Sequence, residues 1–201
     1  MTAPTWATDS EVKPAPGQLR LVQSFVNTSD FDVGTDILAD ADTAQRWLRA
    51  AGLQDPEVAA TAEELRLARA VREEIRALML ANAGAARLSL DELPALQAVS
   101  RDARLRLALG RGGRIDVTPE PAGGLAGGLL SLLMIIRDAQ RDGTWTRLKA
   151  CGNEACRWAF YDRSHSRRGA WCDMASCGNM IKNRNLRARR GSSARRAAGQ
   201  V

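Results

Sequence analysis

Four cysteines constrain this chain more than any other feature. They are the only cysteines in 201 residues, and all fall within 27, as C-x4-C-x15-C-x4-C: Cys151, Cys156, Cys172 and Cys177. Zinc takes four soft ligands in a tetrahedron, and two short loops that each offer a thiolate pair supply such a set. Asn153, Gly152 and Gly178 are expected to help the backbone turn tightly around the metal. With every position filled by a thiolate, none is left for water, so the expected cofactor is one structural zinc. Two disulfides would need an oxidising compartment. An iron–sulfur cluster also takes four cysteines, but nothing else in the chain looks redox-active. His165, the only histidine, lies between the pairs and is expected to be solvated.

Charge divides the chain near the first cysteine. Residues 1–146 carry 16 basic and 20 acidic groups, and residues 147–201 carry 13 and 3, a net of +10. A split this sharp predicts an ordinary globular part followed by a module suited to a polyanion. The N-terminus has neither the charge nor the apolar run of a signal peptide. The longest uncharged run of the chain, 121–136, is short for a membrane span. These features predict a cytoplasmic protein with no membrane partner.

Periodicity predicts a mainly α chain. Leu21, Val22, Phe25 and Val26 share one side of a short helix, ended by Asn27 and Thr28. A second helix is expected near 42–51 and a long one over 56–82, with Pro56 in its first turn. Glu63–Arg66 and Glu73–Arg76 are expected to pair on that helix's wet side. Residues 89–110 read as a third long element with a Ser89–Glu92 capping box. GRIDVTPE reads as a short strand ended by Pro119. The run LAGGLLSLLMIIRDAQ reads as the central buried helix. Gly127 and Gly128 inside it imply close packing or, more sharply, a small-molecule cleft.

The cysteine segment has nearly half the aromatic residues of the chain: Trp158, Phe160, Tyr161 and Trp171. A module of this size buries too little apolar surface to stand alone, so metal and aromatics are expected to hold it. RWAFYD reads as a strand, and Cys177 is expected to open a basic helix. That helix carries Lys182, Arg184, Arg187, Arg189 and Arg190, and the loop between the cysteine pairs adds Arg163, Arg167 and Arg168. These eight residues are the candidate nucleic-acid contacts, made to phosphates with release of counterions. Asn183 and Asn185 are candidate adenine readers, with solvent-facing asparagine the simpler reading.

The run CGNEACRWAFYDRSHSRRGAWCDMASCGNMIK resembles the CGNR zinc finger. The matching features are the cysteines, Trp158, Phe160, Asp162-Arg163-Ser164, Trp171, Met174-Ala175, Cys177-Gly178-Asn179 and Lys182. In bacterial transcription regulators of that family a mainly helical ABATE domain precedes the finger. Its early Phe-Val-Asn-Thr motif is similar to residues 25–28 here. The resemblance spans about residues 19–190 and implies DNA binding and regulation. It departs at Met180, where the family has arginine, and at Gly169 and Ala170, where arginines are usual.

The expected architecture is a multihelical N-terminal domain with a short strand or hairpin, then a small treble-clef-like four-cysteine zinc module. The expected boundaries are a flexible tail at 1–18, a helical domain at 19–145, a finger at 146–190 and a disordered basic tail at 191–201. The leading function is a zinc-dependent, DNA-binding transcription regulator. One alternative is an RNA-binding accessory protein, with Trp158, Phe160 and Tyr161 stacking on bases. Another is a ligand-binding helical domain clipped by the finger, with Asn27 and Thr28 as candidate ligand contacts. An enzyme is not expected: residues 19–146 contain no His, Cys, Lys or Tyr, and no motif organises the remaining groups for catalysis. The partner classes admitted are DNA, RNA, a small-molecule effector and a second copy of the chain.

Overall fold

The computed structural model describes residues 13–86, 88–120, 124–182 and 184. Five α-helices make the body: α1 (Leu19–Val26), α2 (Ala41–Ala50), α3 (Ala62–Asn82), α4 (Pro94–Arg101) and α5 (Ala126–Arg141). Three two-stranded antiparallel ribbons join them: β1 (Ser29–Asp30) with β2 (Thr35–Asp36), β3 (Leu105–Leu109) with β4 (Ile115–Pro119), and β5 (Leu148–Ala150) with β6 (Ala159–Tyr161). The mainly α expectation holds. Among the described residues no helix is long and apolar enough to cross a membrane.

Local chemistry explains the helix boundaries. Helix α3 starts at Ala62, later than Pro56, because Thr61 and Glu64 form a reciprocal capping box. Thr61 Oγ1 accepts from Glu64 N–H, and the Glu64 carboxylate accepts from Thr61 N–H. The same carboxylate accepts from Leu125 N–H at 3.0 Å, tying the start of α3 to the start of α5. The segment 89–110 is not one long element. Helix α4 ends at Arg101, and Leu105, Leu107 and Leu109 then alternate with Arg106 and Ala108 in strand β3. That period of two suits a strand, and the partner strand β4 follows after a short glycine-rich connection.

One large apolar core joins α1, α2, α3, α4 and α5. Val22, Phe25, Leu48, Ile75, Met79 and Leu132 are wholly buried in it. Gly128 of α5 lies so close to Leu53 that an added Cβ would sit 1.8 Å from its carbonyl oxygen. Close packing therefore accounts for this glycine. Gly127 lines a cavity described below.

The ribbon β5–β6 belongs to that core as well. Leu148, Ala150, Ala159 and Tyr161 turn into it. Phe160 faces the opposite way, into a second small cluster with Cys151, Cys172 and Cys177. Strand alternation thus gives the ribbon two buried faces, one on the helices and one on the cysteines. Residues 13–18, expected to belong to a flexible tail, run beside it. Lys13 O accepts from Tyr161 N–H at 2.9 Å, and Ala15 N–H donates to Gln23 Oε1 at 2.6 Å.

Candidate metal centre and its basic surface

Strand β5 delivers Cys151 to the end of the first loop, where its N–H donates to Trp158 O at 2.9 Å. The chain turns at 152–157, with Arg157 at φ 50°, and returns as β6. Residues 162–171 form a loop, and Cys172 opens the second pair. Asp173 then caps a wide helical turn, Met174–Gly178, accepting from Ser176 N–H at 2.8 Å. Cys177 lies in this turn, and helical residues continue to Lys182.

All four Sγ atoms lie within 4.8 Å of one another. Cys156 and Cys172 are 3.6 Å apart, and Cys172 and Cys177 are 3.9 Å apart. Four thiolates about 2.3 Å from a tetrahedral zinc stand about 3.8 Å from each other. A disulfide would need about 2.05 Å. The spacing therefore fits one zinc and no S–S bond.

Ionisation in the cluster points the same way. Hydrogen bonding from Cys156 and Cys172 pulls the Cys151 thiol below its usual range, while bonding to Cys151 and burial push Cys156 and Cys172 above theirs. Thiols this close share a negative charge and resist bearing one each. A divalent cation removes that conflict. Asn153, buried beside the cluster, donates from Nδ2 to Cys177 Sγ at 3.5 Å. Four soft thiolates with no water position make this a structural zinc site.

The glycines serve close approach rather than tight turning. Neither Gly152 nor Gly178 has a positive φ. A Cβ on Gly152 would lie 3.1 Å from the Trp171 ring, and one on Gly178 would lie 2.3 Å from Met174 Sδ. His165 is exposed, as expected.

Arg163, Arg167, Arg168, Lys182 and Arg184 are all exposed on this module. Arg163 also donates to Pro14 O at 2.9 Å. Arg187, Arg189, Arg190, Asn183 and Asn185 lie outside the described residues. The loop bearing Arg163–Arg168 is held by a pair that the sequence did not single out. Lys149 Nζ reaches Asp162 Oδ2 at 2.9 Å, Arg167 O at 2.6 Å and Gly169 O at 3.1 Å. Asp162 accepts in turn from Ser164 N–H and Gly169 N–H. A Cβ at Gly169 would lie 2.9 Å from that carboxylate, so the loop as folded here leaves no room for a side chain at this position. Of the module's aromatics, Phe160 and Tyr161 are buried, while Trp158 and Trp171 pack half-buried against the cysteines.

Asn27 and Thr28 are buried and engaged by neighbours. Asn27 bonds the backbone of Ala159, and Thr28 Oγ1 donates to Phe25 O and accepts from Arg72. Arg76, expected on the wet side of α3, is 1% exposed. Besides Glu73, it donates to Val26 O at 2.8 Å and to Arg157 O at 2.9 Å, directly after Cys156. Val26 O, the Phe31 ring and the finger's Arg157 O enclose this guanidinium, so its pair with Glu73 has one buried and one exposed partner. Glu63–Arg66 remains the solvent-exposed pair.

Comparison with known proteins agrees with this anatomy. Residues 147–190 match the CGNR zinc finger. Residues 19–141 match the ABATE family, described as "Putative stress-induced transcription regulator". No curated protein matches the chain. With most of its length matched, and a four-cysteine zinc module following in order, the chain belongs to the ABATE family.

Proposed function

We propose that this protein is a DNA-binding transcription regulator, acting in the cytoplasm, in which zinc fixes the presentation of a basic surface. One observation carries the reading. Arg163, Arg167, Arg168, Lys182 and Arg184 face solvent, while two of the module's three acids are engaged internally: Asp162 by Lys149 and loop amides, and Asp173 by the Ser176 N–H and hydroxyl. The resulting surface is strongly positive and stiffened by metal, a combination suited to phosphate backbones. Arg167, Arg168, Lys182 and Arg184 make the contacts, joined by Arg163 and by Arg187, Arg189 and Arg190 farther along. Base stacking is a poorer account, because Phe160 and Tyr161 are committed to cores. The helical domain contributes a cavity of about 400 Å³ between α3, α4 and α5, lined by Leu67, Val99, Arg104, Glu120, Gly127 and Leu130. A small effector fits there.

The test is retention of fragmented genomic DNA on the zinc-loaded protein, with competing RNA present. Enrichment of a few DNA sites, lost on chelation, is the expected result. Replacing Arg167 and Arg168 with Gln should flatten the slope of log K against log salt by about 0.9 per lost phosphate contact. Recovery of RNA alone, or an unchanged salt slope, would overturn the reading.

A further inference from the structure

The β3–β4 ribbon carries an apolar face on which Leu105, Leu107, Leu109 and Ile115 are left uncovered by the other described residues. Its register sets Leu105 opposite Pro119, Leu107 opposite Val117 and Leu109 opposite Ile115. Directly opposed residues share a face, so all six apolar side chains lie on one side. Arg106, Ala108, Asp116 and Thr118 take the other. Leu107 is 72% exposed, Leu109 83% and Ile115 64%. Four of the ten exposed large hydrophobic residues among those described belong to this small surface. Clustering of that kind marks an interaction site, whereas single exposed leucines are ordinary. A two-stranded ribbon with a bare apolar face is also marginal in water unless something covers it.

A matching receptor lies on the same molecule. A trough of about 670 Å³ runs along α1 and α5, lined by Leu21, Met134 and Ile135, with Val117–Pro119 of β4 as one wall. It continues into a second groove that shares Gly17, Gln18, Ile135 and Asp138. Leu107, Leu109 and Ile115 do not line either groove, so the ribbon tip does not fill its own trough. The charged residues lining the two grooves are Asp138 and Asp142. The ribbon is basic: Arg114 pairs with Asp116 at 2.8 Å, which leaves Arg111 in the connection, and Arg106 on the face away from the leucines, without an acidic partner among the described residues. Asp138 receives Arg137 on Oδ1 at 2.7 Å and keeps Oδ2 for a further donor.

We propose that the occupant of the trough is the ribbon of a second copy of this chain. Two copies exchange ribbons about a twofold axis, and each seats Leu107, Leu109 and Ile115 against the other's α1 and α5. Because each copy gives its ribbon to, and takes a ribbon from, the same partner, apolar knob meets apolar trough and Arg111 meets the acidic rim twice, and the exchange closes as a dimer without leaving a free end. The arrangement joins two helical domains and is independent of what the zinc module binds.

Sedimentation velocity of the full-length, zinc-loaded chain across the micromolar range tests it. A dimer is expected. Leu107→Lys with Leu109→Lys should weaken it at least about tenfold, since buried anchors dominate such interfaces. These side chains are exposed within one chain, so circular dichroism and Tm at monomeric concentrations should hold. Arg111→Glu should weaken the dimer, and Asp138→Lys in the same chain should restore it. A photo-crosslinking residue replacing Leu109, in a mixture of isotopically light and heavy chains, should join light to heavy at residues 17–21 or 131–138. A chain that stays monomeric, a dimer indifferent to the lysines, or crosslinks elsewhere would each overturn the proposal.

Discussion

The side-chain amide of Asn27 takes both backbone polar groups of Ala159: Nδ2 donates to its carbonyl at 3.0 Å, and Oδ1 accepts from its N–H at 2.8 Å. One side chain at the end of α1 therefore acts as a neighbouring strand for β6. Gln23 Nε2, one turn earlier on α1, adds a second bond to the same carbonyl at 3.1 Å. This contact decides how the helical body holds the finger, because Ala159 faces the core and Phe160 beside it faces the cysteines.

Asn27→Ala would leave the Ala159 N–H buried with no acceptor, while Gln23 still serves the carbonyl. The loss of two buried bonds, one leaving an orphan donor, should cost about 2–3 kcal/mol. Urea denaturation followed by tryptophan fluorescence measures it. A change below about 0.5 kcal/mol, within the range of an ordinary surface substitution, would mean that the clip does not stabilise docking.

Zinc removal should act unevenly on the module. A free-standing finger would unfold entirely on chelation. Here β5 and β6 have a second attachment, because Leu148, Ala150, Ala159 and Tyr161 are buried among the helices. Asn82 Nδ2 also donates to Trp145 O at 3.0 Å and Leu148 O at 2.9 Å. Hydrogen exchange after verified metal removal should rise across 151–157 and 170–182, and Trp171 fluorescence should change as its cysteine neighbours separate. Amides of 148–150 and 159–161 should stay protected. Equal loss of protection in all four segments would show that the metal alone holds the module.

The residues that could be read from sequence are those whose partners are close in the chain or fixed by chemistry. The cysteine spacing is local, and four thiolates have few uses. Thr61 with Glu64 is a local cap and marks the true helix start; Pro56 misleads because proline tolerates a first-turn position without requiring it. Leu105, Leu107 and Leu109 have a strand period, but it is only five residues long and follows the apolar pattern of α4 closely enough to look like its continuation. Arg76 was beyond reach for a different reason. Its acceptors, Val26 O and Arg157 O, lie 50 and 81 residues away and are backbone atoms, so no side-chain pattern announces them. The pairing of Lys149 with Asp162 is likewise hidden, because a lysine in a basic segment looks like one more surface charge.

That lysine supports the last prediction. Lys149 and Asp162 have side chains 3% and 4% exposed, so removing one strands the other in a poorly solvated place. Burial works against ionisation of Asp162, but bonds from Ser164, Lys149 and Gly169 outweigh it and hold the carboxyl well below its usual range. A carboxyl depressed in the folded state binds fewer protons there than in the unfolded chain. Its stabilisation is therefore complete above the unfolded pKa, near 4, and is lost as pH falls from there toward the folded value. Lys149→Met should cost about 3–5 kcal/mol at neutral pH by leaving an unpaired buried carboxylate. It should also shrink the acid-side slope of stability, because the carboxyl is then less depressed. Lys149→Met with Asp162→Asn should recover part of the loss. Denaturation midpoints measured between pH 3 and 7 for the three chains would check this. If Lys149→Met kept the parent's acid slope, the pairing would have no part in holding the Arg163–Arg168 loop.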